Sequence, residues 1–317
     1  MPSGDFILAS DYNAIRNKII RVLGTGDGSH GYGQSIQSSS VAVGSTVTKT
    51  QWDLLRFDIY NALFHQTGSV PSITTATVGS VVTFGAGQPN NQYDTLSDTA
   101  TSNRFSLGTG QFVTNTNVST VQRTDAWNIR VEATLTAEFG TADQARYFFN
   151  SGSQIRVATT RTGGASTSQN SSWSNILSGA GTQVFGGQLP TSGFSPMDGT
   201  NYYRLTNSFQ TFYTTTGSSP YASNRYSLQG ACNVSDNSSG TARIVYIKVV
   251  LDDPYVDPDV GVPPLGGFDI GPEDVVDGTL TTVFSEVRAS GTLQPAPAAG
   301  SFSITPPTYG VTSFSGS

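Results

Sequence analysis

Residues 128 to 139, NIRVEATLTAEF, limit the possible folds of this chain more than any other stretch. Ile129, Val131, Ala133, Leu135, Ala137 and Phe139 alternate with Arg130, Glu132, Thr134, Thr136 and Glu138. Successive side chains of an extended chain point to opposite sides, so the pattern predicts a strand with one apolar and one wet face, as in an antiparallel sheet covering a core. β-Branched and aromatic runs bounded by Gly, Asn and Ser recur at 78–84 (VGSVVTF), 153–161 (SQIRVATTR), 207–216 (NSFQTFYTTT) and 242–251 (ARIVYIKVVL). Together they predict a mainly β protein whose body, residues 70–252, is an antiparallel β-sandwich. TADQARYFF (141–149) departs from the period of two and reads either as a short helix or as an extended edge.

Ahead of the body the period is helical. In 10–23, Ser10 reads as an N-cap, Ile15, Ile19, Val22 and Leu23 form one apolar stripe, and Gly24 ends it. In 49–66, Thr48 and Gln51 fit a capping box, Trp52, Leu55, Ile59, Ala62 and Leu63 face one way, and Gly68 suits the position after the helix. Each stripe needs a partner, so residues 1–69 are predicted to form a small N-terminal α-helical pair, although 24 to 47 is too long for a tight turn. Residues 253–277 are rich in acids and prolines and hold no basic side chain. Fixed φ angles and like-charge repulsion make this an extended linker. Residues 278–317 supply two or three strands, a short C-terminal β unit too small to stand alone, which pairs with the main sandwich or with a neighbouring chain.

Charged side chains make up 12% of the chain, about half the usual share. Its polarity comes instead from 40 Ser and 40 Thr. The net charge of −6 and the scattering of 16 Lys and Arg argue against a nucleic-acid partner, which needs a concentrated basic face. No apolar run approaches the roughly 18 residues of a membrane span, and the N-terminus lacks the basic-then-apolar pattern of a secretory signal, so no membrane is expected. Cys232, the single cysteine, has no disulfide partner in the chain.

The chemistry the residues allow is equally restricted. A glycosidase needs two opposed carboxylates, but there are four Glu, and Glu132 and Glu138 fall on one strand face, where they read as surface charge. With His30 and His65 the only histidines, His-rich zinc sites and most His-based catalysis lack raw material. His30, in Gly28-Ser-His-Gly-Tyr-Gly33, reads as a loop histidine. His65, in a last helical turn, reads as a cation at the negative end of the helix dipole. Gly24-Thr-Gly-Asp-Gly-Ser follows a helix and lacks the Walker lysine, so it is no phosphate cradle. The linker acids do not match the EF-hand spacing, and neither metal nor cofactor is expected. Phe194, Tyr202, Tyr203, Phe209, Phe212, Tyr213, Tyr221 and Tyr226 read as a sugar-binding platform or, preferably, as core and interface.

Several strings carry a family resemblance. They are Asp11-Tyr-Asn-Ala-Ile, Leu23-Gly-Thr-Gly, Gly31-Tyr-Gly-Gln34, Thr50-Gln-Trp-Asp-Leu-Leu-Arg56, His65-Gln-Thr-Gly68, Ala145-Arg-Tyr-Phe-Phe-Asn-Ser-Gly152, Ser172-Trp173, Leu205-Thr-Asn-Ser-Phe-Gln-Thr-Phe-Tyr213 and Val276-Asp-Gly-Thr-Leu-Thr281. In these the chain resembles virion structural proteins of tailed phages, especially T4-like cyanophages. The resemblance implies a component of the virion's tail, neck or fibre, made in the host cytoplasm and without enzymatic activity. Its implied partners are copies of itself, as a trimer or ring-matched oligomer, and other tail or neck proteins. The helical segment is expected to dock onto the particle through Tyr12, Trp52 and Phe57, because aromatic side chains dominate hot spots; the competing assignment is the helical pair's own core. The C-terminal strands are expected to complete a neighbour's sheet. The alternative is a receptor-binding adhesin for host glycans, and behind it a virion-borne polysaccharide hydrolase.

Overall fold

The structure, a computed structural model, describes residues 8–69, 71–75, 89–108, 113–187, 201–255, 275–292 and 301–316. The predicted strand at 78–84, Phe194 and most of the acidic linker lie outside them.

The N-terminal helices α1 (Ala9–Leu23) and α2 (Lys49–Thr67) form as expected, and α3 (Pro89–Ser102) joins them. Ser10 is not the cap of α1. The helix starts at Ala9, and Asp11 Oδ2 accepts from the Leu8 N–H at 3.0 Å, so a first-turn acid satisfies the free amide and complements the dipole. For α2 the capping box holds: the Gln51 N–H meets Thr48 Oγ1 at 3.3 Å and the Thr48 N–H meets Gln51 Oε1 at 2.8 Å. Gly68 ends it at φ 73°. The pair thus becomes a three-helix layer in which Trp52 packs edge-on between Tyr12 and Tyr93, at 5.2 and 5.1 Å between ring centres.

After α3 come β1 (Val113–Arg123), β2 (Arg130–Glu138), α4 (Ala142–Asn150), β3 (Gln154–Thr162), α5 (Ser168–Ala180), β4 (Thr182–Phe185), β5 (Gln210–Thr216), β6 (Arg225–Cys232), β7 (Ile244–Asp252), β8 (Thr279–Thr292), β9 (Ser301–Ser303), β10 (Thr308–Val311) and β11 (Ser315–Gly316). The 141–149 stretch is helical because Thr141 Oγ1 caps it, accepting from the Gln144 N–H at 3.1 Å. All strand pairs are antiparallel. One sheet runs β1-β8-β3-β4 with β9 beside β8, and the other runs β10-β2-β7-β6-β5 with β11 beside β2.

The two sheets face each other. Phe185 of β4 meets Phe212 of β5 at 5.2 Å, and Thr159 Oγ1 of β3 bonds the Tyr226 hydroxyl of β6 at 3.0 Å. Val131, Ala133, Leu135 and Ala137 of β2 and Val245, Ile247, Val249 and Leu251 of β7 are buried between them, as the alternation requires. Each fully buried Val, Leu or Ile contributes about 1.5–3 kcal/mol relative to exposure. Ile129 is an exception to the predicted inward face: it precedes β2, is 61% exposed, and contributes its carbonyl to the Asp253 N–H at 2.7 Å.

The C-terminal segment is woven into this sandwich. β8 lies between β1 and β3, and β10 and β11 extend β2. Of the two pairings the sequence left open, the structure therefore shows the one within the chain. No helix among the described residues is long and apolar enough to cross a membrane.

Candidate functional site

The three predicted docking residues occupy two environments. Tyr12 and Trp52 are buried inside the helical layer, where they form part of its core. The Tyr12 hydroxyl lies 3.2 Å from Ser39 O and 3.1 Å from Gln51 O, and burial pushes its pKa up to about 12. Phe57 is half-buried on the same helix as Trp52, with the Arg56 guanidinium 5.4 Å from its ring.

Four of the resemblance strings, Leu23–Gly26, Gly31–Gln34, His65–Gly68 and Ala145–Gly152, meet in one place. After α1 the glycine-rich loop turns back so that the Gly33 N–H meets Gly24 O at 2.9 Å and the Gln34 N–H meets Leu23 O at 2.8 Å. Gly31 and Gly33 have φ of 97° and 66°; a Cβ would fall 2.3 Å from Thr25 O at the first and 2.4 Å from the Tyr147 ring at the second. The loop can therefore press its backbone onto α4. Arg146 and Asn150, four apart and so on one face of α4, receive it. Arg146 donates to His30 O at 2.8 Å, to Thr25 O at 2.9 Å and to Asp143 Oδ1 at 2.9 Å. Asn150 Nδ2 reaches Gly28 O and Gly31 O, both at 3.2 Å, and the Tyr203 hydroxyl donates to Gly28 O at 2.9 Å. The guanidinium is thus a tethered cation filling a ring of carbonyls.

α2 joins the same junction. His65 Nε2 donates to Ser151 O at 2.7 Å, its ring stacks on Phe302 at 4.1 Å, and Gln66 Nε2 donates to the Tyr32 hydroxyl at 2.8 Å. His65 is not the dipole-capping cation the sequence suggests. Burial lowers its pKa to about 4, so it is neutral at pH 7. His30 is lowered to about 4 as well, first by burial and then by Arg104 and Arg21.

The acids are distributed as fasteners. Partial burial would raise the Glu132 carboxyl, but hydrogen bonds from Arg130 and Lys248 outweigh it and hold the group below its usual value. A glycosidase acid needs the opposite shift. Glu138 pairs with Arg243 at 3.0 Å, and six residues of strand place it roughly 20 Å from Glu132, against about 5–9.5 Å for a hydrolytic pair. Glu286, buried on β8, accepts from Arg288 Nε and from the Tyr309 hydroxyl, each at 2.8 Å. Asp253 accepts from the Trp173 indole at 3.2 Å, and Asp277 ties the Arg161 guanidinium to the start of α5 through the Ala165 N–H at 3.0 Å. Among the described residues no three His, Cys, Asp or Glu side chains come together as metal ligands.

Most of the tyrosine platform is interior. Tyr202, Phe212, Tyr221 and Tyr226 are buried, Tyr203 and Tyr213 half-buried, and among the described members only Phe209, 40% exposed beneath the Lys248 ammonium, is exposed. A concavity lies elsewhere, between one face of α5 and residues 215–221 at the end of β5. It encloses about 600 Å³ and is lined by Ser168, Ser172, Asn175, Gly179, Thr216 and Ser219 among others, over Ile176 and Tyr221. Sequence reasoning missed it because α5 was not foreseen.

Comparison with protein-family models, with curated proteins and with solved structures gave no match.

Proposed function

We propose that the chain is a non-enzymatic structural component of a tailed-phage virion, associated with tail, neck or fibre and acting through contacts with copies of itself and with other tail or neck proteins. The observation that carries this reading is the destination of the resemblance strings. The loop around Gly24–Gln34 and the string Ala145–Gly152 bind each other, His65 and Gln66 bind both, Trp173 holds Asp253, and Asp277 holds Arg161 and the α5 start. Side chains used this way stiffen a body rather than transform a substrate. A rigid body repeated around a symmetry axis multiplies modest contacts into a durable assembly. Phe57, half-buried on α2, is the predicted anchor through which such a contact would form.

The test is the mass of the purified full chain in solution together with its location in fractionated particles. A trimer or ring-matched oligomer that travels with tails or necks supports the reading. A monomer, or a protein missing from particles, overturns it.

A further inference from the structure

The groove beside α5 has no bearing on the assembly role, and its chemistry is specific. Its lining contains no Asp, Glu, Lys, Arg or His. Ser168, Ser172, Asn175, Thr216, Ser218 and Ser219 line it, and their side chains make no hydrogen bond within the described protein. Hydroxyls and carboxamides both donate and accept, which is what the hydroxyls of a sugar require. A charged ligand would find no counter-charge, and a purely apolar one would strip water from these groups at about 1–3 kcal/mol for each left unmatched. We propose that this groove binds a neutral saccharide.

Its walls are already in place. Thr167 Oγ1 caps α5, accepting from the Asn170 N–H at 3.1 Å. The 215–221 turn is pressed onto the helix at Gly217, where a Cβ would fall 2.4 Å from Tyr221 O and 3.2 Å from Ser172 Oγ. A preformed site avoids the cost of ordering loops on binding. Ile176 and Tyr221 form the floor, and Pro220 on the rim offers the C–H face of a sugar ring an apolar contact. The volume lies within the roughly 300–1,000 Å³ usual for small-ligand clefts.

Gly179 makes the proposal testable, because it lines the groove and a Cβ there meets nothing within 4 Å. Gly179→Trp fills the groove from an exposed helical position, and Ser178→Trp, exposed on the same helix outside the lining, is its control. The full chain is applied to an array of neutral and anionic glycans. Expected are signals on neutral glycans only, at least tenfold weaker for Gly179→Trp, several-fold weaker for Asn175→Ala and unchanged for Ser178→Trp. No signal on neutral glycans, preference for anionic ones, or undiminished binding by Gly179→Trp would each overturn it. An oligomeric, particle-bound chain that ignores every glycan sinks this inference alone, whereas a glycan-binding monomer sinks the assembly reading alone.

Discussion

Between α1 and α2 the chain runs from residue 24 to residue 48 without helix or strand, whereas β2 and β7 face each other across nine consecutive register pairs. Both regions hold their backbone in place through its polar groups, but they satisfy those groups differently. In the sheet each amide meets a carbonyl of the next strand, and most side chains are free to pack. In the 24–48 segment a few side chains do the work of a missing strand. Asn13 bonds both the carbonyl and the amide of Val41, at 2.8 and 3.0 Å, and Arg16 donates twice to Ser38 O. Asp58 accepts from the Gln37 and Ser38 amides at 3.0 and 2.9 Å, and Arg146 and Asn150 hold the glycine loop. The difference teaches where fragility is concentrated: one substitution in the segment strands several backbone groups, while one in the ladder strands none.

The largest expected effect follows from removing the tethered cation. Arg146→Met leaves the carbonyls of Thr25 and His30 without their charged donor and should cost about 3–5 kcal/mol in denaturant unfolding. Hydrogen exchange should quicken in residues 24–34 while β2 and β7 stay protected. A loss below about 1 kcal/mol would erase the contrast.

Acid offers a second, somewhat smaller lever. The unfolded chain protonates His65 near 6.5 and the folded one only near 4, so stability from this group is full above pH 6.5 and is lost as pH falls towards 4. The window corresponds to about 3 kcal/mol. Asp58 works the other way, because burial raises its carboxyl, and it favours the fold as pH falls. Comparing unfolding of the parent with His65→Phe from pH 7 to 4 isolates the histidine: the parent should lose more, and parallel curves would refute its role.

The smallest effect sharpens the sandwich side. Val249→Ala on β7 should cost about 2 kcal/mol, chiefly lost burial, and should leave the pattern of exchange across the molecule unaltered. Selective loosening of 24–34 by this variant would mean that the two regions are not held independently.

The same contrast governs what the sequence revealed. β2 and β7 were legible because their alternation is written in adjacent residues, and so was the capping box of α2. α5 was missed although Trp173, Ile176, Leu177 and Ala180 repeat at helical spacing, because the Ser and Asn around them favour caps and turns over helix interiors. β1 offers little alternation, since an edge strand of Thr and Asn covers little core. Arg146 lies in the string Ala145–Gly152, yet its partners Thr25 and His30 are more than 110 positions away, and no local pattern announces a guanidinium facing carbonyls. The groove, assembled from two separate segments, was invisible for the same reason.

The placement of β8 sets the order in which the molecule can be completed. Its two neighbours, β1 and β3, are finished by residue 162, but the strand that fills the gap between them begins only at Thr279. A ribosome adds the intervening residues over several seconds or longer, during which a nascent sheet would hold two unsatisfied edges side by side. Closure therefore waits until Thr279 and the residues after it have been made, and a chain cut short before residue 279 would lack the keystone of that sheet instead of merely losing a tail.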